Sequence, residues 1–134
     1  MYKRIRIESK LDSLRIVENA IDEATSEIGI SQGNYGKILV SILEAVNNAI
    51  LHGNKFESEK FVEIEMSFKN NMLKVKVSDE GIGFRPEKVA DPTIPENIEA
   101  INGRGVFIMT RLADKIKFSK KGNKVIMTFK NILD

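Results

Sequence analysis

Residues 61–84 read FVEIEMSFKNNMLKVKVSDEGIGF, two apolar-patterned runs joined by a pair of asparagines and closed by an acid and two glycines. Leu73, Val75 and Val77 alternate with polar residues, the period of a strand with one buried face. Phe61, Ile64, Met66 and Phe68 keep that period imperfectly. Asn70-Asn71 between the runs is a turn candidate, so the pair is expected as a hairpin. Strands that arrive as hairpins pair antiparallel, which sets this chain apart from an alternating, doubly wound fold.

Upstream, Tyr2–Glu8 alternates, with Tyr2, Arg4 and Arg6 on one side and Ile5 and Ile7 on the other, as an edge strand would. Ser9 offers an N-cap, with Asp12 three residues later. Leu11, Leu14, Val17, Ile21, Ala24 and Ile28 then recur at helical spacing, and Gly29 can close that helix in the left-handed conformation. A second helix is expected from about Tyr35 to His52, with Ile38, Ile42, Ala45, Val46, Ala49 and Ile50 as its apolar side and Gly53 and Asn54 as its end.

Downstream, Phe84–Gly103 holds all three prolines and little periodicity. Long irregular stretches of this kind tend to be lids or binding loops. A third helix is expected over Val106–Ala113. A second hairpin, Lys115–Ser119 with Lys124–Lys130, turns at Lys121-Gly122-Asn123. The order is strand, helix, helix, hairpin, lid, helix, hairpin. It predicts an α+β domain over 1–134, a two-layer sandwich with a mixed, mostly antiparallel sheet and helices on one face.

With 134 residues the chain suits one domain and a real core. No apolar run approaches a membrane span, and the basic start MYKRIRIESK lacks an apolar signal core, so a cytoplasmic protein is expected. The absence of cysteine excludes disulfides and thiol chemistry, and the single histidine excludes a multi-histidine metal site within one chain. A net charge of +2 is too weak to indicate a nucleic-acid partner. The basic run from Arg111 to Lys130 is read as a solvated strand face, with an acidic partner surface as the alternative.

Three phrases carry chemistry: EAVNNAILHGN at Glu44–Asn54, DEGIGF at Asp79–Phe84 and NGRGVFIM at Asn102–Met109. Glu44 and Asn48 are four residues apart, so they share a helix face. An amide oxygen can ligate magnesium without adding charge, and a neighbouring carboxylate can accept a proton. Asp79 can accept from the exocyclic amino group of adenine, where guanine would present an acceptor instead. Gly81 and Gly83 would let backbone approach the base. Gly103, Arg104 and Gly105 precede a helix, whose free amides favour phosphate, and Arg104 could pair with phosphate oxygens. Taken singly, these phrases also describe a solvated helix face, a plain turn and a loop with an exposed arginine.

Together, in this order, they resemble the asparagine box and the two glycine boxes of the GHKL ATPase superfamily. DPTIPENIEAINGRGVFIM is similar to the linker and lid of the bacterial anti-sigma-factor serine/threonine kinases. The resemblance implies the Bergerat fold and ATP and magnesium as cofactors. It implies Glu44 as general base, Asn48 as magnesium ligand and Asp79 as the adenine-recognising acid. It places Gly81, Gly83, Gly103, Arg104 and Gly105 around the nucleotide, with Thr128 near the base. It further implies a protein-serine kinase that binds a sigma factor, phosphorylates a serine on a small antagonist protein, and forms a homodimer. A non-catalytic binding module, a stand-alone ATPase and nucleic-acid binding by the basic C-terminal hairpin are the rival expectations.

Overall fold

The computed structural model describes residues 1–54, 57, 59–81, 111–119 and 123–133. Its strands are β1 (Tyr2–Glu8), β2 (Phe61–Lys69), β3 (Met72–Ser78), β4 (Lys115–Phe118) and β5 (Lys124–Lys130). They form one sheet in the order β1-β2-β3-β5-β4. Helices α1 (Leu14–Ile28) and α2 (Gln32–Asn48) cover one face of it and complete the core. The architecture is the expected α+β open sandwich. Among the described residues every strand pairing is antiparallel, so the expected mixed character is absent there.

Local chemistry explains most of these elements. Asn70 and Asn71 both take left-handed backbone (φ 54 and 58), the twist that a two-residue hairpin turn needs between β2 and β3. Gly29 closes α1 at φ 82, where a side chain would be strained, and its N–H donates to the Thr25 carbonyl. The imperfect alternation of β2 resolves once Val62, Ile64 and Met66 are seen buried. Phe61 belongs to the other face, with the Arg6 guanidinium 4.0 Å from its ring centre. The outermost strands carry Arg4, Arg6 and Glu8 or Lys115 and Lys117, charges that discourage pairing with a further chain.

The helix boundaries depart from expectation in three places. Ser9 caps no helix. It is buried, its N–H donates to the Lys60 carbonyl, and a short 3-10 turn at Leu11–Ser13 precedes α1. Helix α2 starts at Gln32, not Tyr35. Ser31 is its N-cap, and the Ser31 Oγ accepts from both the backbone N–H and the side-chain amide of Asn34. Gly33 and Gly36 conceal that first turn because glycine has poor helix propensity. At its far end α2 gives way after Asn48 to a π-helical turn, Ala49–Gly53, closed by the Asn54 N–H on the Ala49 carbonyl at 2.8 Å. Such wide turns recur at functional sites.

Gly36 is exposed and a Cβ there would meet nothing within 4 Å. Gly36→Ala is expected to stabilise the fold by about 0.5–1 kcal/mol, the cost of glycine in a helix interior relative to alanine. A urea titration with unchanged slope and a higher midpoint would show it.

The expected lid at Phe84–Gly103 and most of the expected third helix lie outside the described residues. So do Gly83, Gly103, Arg104 and Gly105.

Candidate functional site

Strand β3 turns Leu73, Val75 and Val77 into the core. The same two-residue period carries Asp79, just past the end of β3, to the helix-covered side of the sheet. There it meets Gly53, the last residue of the π-helical turn. A Cβ on Gly53 would fall 2.4 Å from the Asp79 Cγ and Oδ2 atoms and 2.7 Å from Oδ1. A Cβ on Gly81 would fall 2.0 Å from the Gly53 carbonyl oxygen. Only glycine at both positions lets these groups approach so closely. The Gly81 N–H donates to Asp79 Oδ1 at 2.8 Å, and the Asp79 N–H donates to the Asn123 carbonyl at 2.9 Å.

Burial pushes the Asp79 carboxyl group up in pKa, while the Gly81 N–H and the Lys60 ammonium pull it down. The result is a half-buried carboxylate with an elevated proton affinity, a feature that often marks functional clefts. His52, one residue before Gly53, is lowered in pKa by burial, so it resists charging at neutral pH.

Glu44 and Asn48 lie on α2 as expected, both half-buried. They flank the stripe of Ile38, Ile42, Ala45, Val46 and Ala49 that faces the core. The π-helical turn extends this helical run from Asn48 to Gly53, so the Asp79 carboxylate sits at the C-terminal end of the helix that carries Glu44 and Asn48. Two of the three phrases therefore come together through Gly53 and Asp79. Thr128 is not brought to them. Val125, Met127 and Phe129 of β5 face the core, whereas Thr128, itself buried, has the opposite phase along the strand, with Lys74 and Lys115 as its cross-strand partners.

Asn54, read from sequence only as a helix terminator, proves to be a buried tie. Its side chain is 0% exposed. Its amide nitrogen donates to the Phe61 carbonyl at 3.0 Å, and its amide oxygen accepts from the Glu80 N–H at 2.8 Å. It thus links the end of the helical run to the start of β2 and to the turn after β3. The Glu80 carboxylate in turn accepts from the Phe61 N–H. The only local signal was an asparagine after a helix-ending glycine, which equally describes a plain cap.

The profile of the histidine kinase-like ATPase domain matches residues 7–129. The chain belongs to that family. The serine-protein kinase RsbW of Listeria innocua is 24% identical over 131 aligned positions, covering 92% of this chain and 83% of that protein. RsbW of Oceanobacillus iheyensis is 22% identical, covering 99% and 88%. The anti-sigma F factor of Clostridium perfringens is 33% identical over 95 positions, covering 67% and 68%. A crystal structure of the RsbU and RsbW domains of Rv1364c from Mycobacterium tuberculosis superposes with a TM-score of 0.71 at 16% identity. That match covers 97% of this chain and 32% of the other, so the chain spans about a third of that protein, and the likeness speaks for the fold. Such relatives place the chain with the anti-sigma kinases of its family and imply ATP as its nucleotide. Among the described residues, no helix is long and apolar enough to cross a membrane.

Proposed function

We propose that this chain is a cytoplasmic, ATP-dependent serine-protein kinase that also acts as an anti-sigma factor. It would hold a sigma factor and phosphorylate a serine on a small antagonist protein, working as a homodimer. The observation that carries the nucleotide part is the seating of the Asp79 carboxylate on Gly53, at the end of the helix bearing Glu44 and Asn48. The names of the relatives support the kinase and anti-sigma parts.

In this reading Asp79 accepts a hydrogen bond from the amino group of adenine, and Gly81 keeps the base free of a side-chain clash. Glu44 takes the proton of the substrate serine as its Oγ bonds to the γ-phosphorus. The bond from that phosphorus to the bridging oxygen breaks, and ADP leaves with the electron pair. Gly83 would line the base pocket, while Gly103, Arg104 and Gly105 would contact the phosphates, Arg104 offsetting charge on the transferred group. Among the described residues no cluster of three or more His, Cys, Asp or Glu side chains could hold a metal. The donor set fits magnesium that is held by one amide oxygen, from Asn48, and by the substrate phosphates. When bound, magnesium neutralises phosphate charge.

The test is incubation with labelled ATP and candidate antagonist proteins, followed by mapping of phosphoserines. Phosphate release without a labelled acceptor would favour a simple ATPase. ATP binding without either outcome would favour a non-catalytic module.

A pH dependence follows from the raised Asp79 group. Adenine recognition needs the ionised acceptor, so affinity falls as pH drops through the Asp79 value. That loss begins at a higher pH than for a solvated aspartate, which protonates near pH ~4. Calorimetric ATP titrations from neutral to mildly acid buffer should show a component of the decline that is absent in Asp79→Asn.

A further inference from the structure

We propose that Gly53 is the specificity-determining seat of the Asp79 carboxylate, and that Asn54 is the positioning residue that fixes this seat. The proposal rests on the reading of Asp79 as the adenine acceptor. Three backbone segments converge here: the end of the helical run at Gly53, the start of β2 at Phe61 and the turn at Glu80-Gly81. Hydrogen bonding within β3 positions the strand but does not decide how deep the next side chain sits. The Gly53 backbone decides that. The three atoms closest to a Cβ on Gly53 are the Asp79 Cγ, Oδ2 and Oδ1, with no backbone atom among them. An added methyl would therefore press first on one side chain, and that side chain is the proposed base reader. Gly81 differs, because its Cβ would strike the Gly53 backbone carbonyl.

Asn54 explains why Gly53 stays in register with Asp79. A single buried side chain must donate to one segment and accept from another through two separate atoms, which an asparagine amide does and an aspartate carboxylate or a leucine side chain cannot. Its backbone N–H closes the π-helical turn on Ala49, and its carbonyl accepts from the Glu57 N–H at 3.0 Å. The Asn54 side-chain amide thus joins the helix end to the start of β2 and to the turn after β3, while its backbone groups bond within the helix end and the segment that follows it. Asn54→Asp would keep the Glu80 N–H satisfied but would set a carboxylate oxygen against the Phe61 carbonyl, loosening one side of the tie.

The discriminating experiment measures ATP and GTP affinities by calorimetry for the parent, Gly53→Ala and Asn54→Asp, with a thermal melt of each full-length chain without nucleotide. A merely structural role would lower the folded fraction and weaken both nucleotides by a common factor. A positioning role changes their ratio. For Gly53→Ala the expected result is a melt close to the parent, ATP affinity lower by about tenfold or more, and GTP affinity little changed, since one charge-assisted hydrogen bond is misplaced. Asn54→Asp is expected to narrow the same ratio by a smaller factor. An unchanged ATP:GTP ratio in folded Gly53→Ala overturns the proposal. So does failure of Gly53→Ala to fold, because the methyl would then displace more than the Asp79 side chain. A parent that binds ATP and GTP equally overturns the adenine reading of Asp79 itself, and the two failures are told apart by that first measurement.

Discussion

Glu44→Ala will bind ATP like the parent and transfer phosphate to its protein acceptor roughly a hundredfold or more slowly, the usual consequence of losing a general base. Glu44 is half-buried on α2 one turn before Asn48, and it makes no hydrogen bond or ion pair among the described residues that would tie it to a structural task. Exposed or half-exposed helix positions of this kind tolerate alanine, which is also the best helix former, so the fold should be kept. The measurement is a single-turnover assay with labelled ATP, paired with a calorimetric titration. Loss of rate with retained affinity assigns Glu44 to the chemical step. Undiminished transfer would remove it from that role. Loss of both would point to a part in nucleotide binding instead.

Asp79→Asn will separate binding from stability. The asparagine keeps an oxygen for the Gly81 N–H but removes the charged acceptor, so ATP affinity should fall by about tenfold to a hundredfold, the range of a hydrogen bond to a charged group. Stability should move the other way. Burial raises the Asp79 pKa, so the folded chain holds that proton to a higher pH than the unfolded chain does. Between the ordinary aspartate range and the raised folded value, the folded state binds more protons and stability from this group declines as pH rises. Asparagine never ionises and escapes that penalty. At neutral pH the variant should therefore melt at or above the parent temperature. Below the ordinary aspartate range, where both residues are neutral, the difference should vanish. A variant that melts lower than the parent at neutral pH would show that the charge is compensated at this site. Trading stability for a desolvated acid is a common feature of binding sites.

Much of the scaffold was legible because it depends on neighbours in the chain. Asn70-Asn71 announces a left-handed turn through the chemistry of two adjacent residues, and Gly29 closes α1 for the same kind of reason. The alternation of Tyr2–Glu8 already marks a half-buried edge. The failures share a different cause. Ser9 looks like a cap, yet its N–H is used by Lys60, a partner far along the chain. Phe61 breaks the alternation of its run until pairing with β1 puts it on the face of Arg6. Thr128 was placed near the base by resemblance, whereas the phase of β5 turns it away from Asp79. A one-residue change of phase moves a strand side chain to the other face, and the phase is set by packing across the sheet.

From its residues alone the chain determined a mostly antiparallel sheet with helices on one face, the phrases at Glu44–Asn54 and Asp79–Phe84, and the chemistry each could offer. These are properties of spacing and side-chain type, which act over a few residues. Only the folded molecule decided that Gly53 lies under the Asp79 carboxylate and that a buried Asn54 ties Phe61 to Glu80. Those contacts join segments separated by long stretches of chain. Their geometry follows from how the helix end packs against the sheet, a condition that no local pattern of residues encodes.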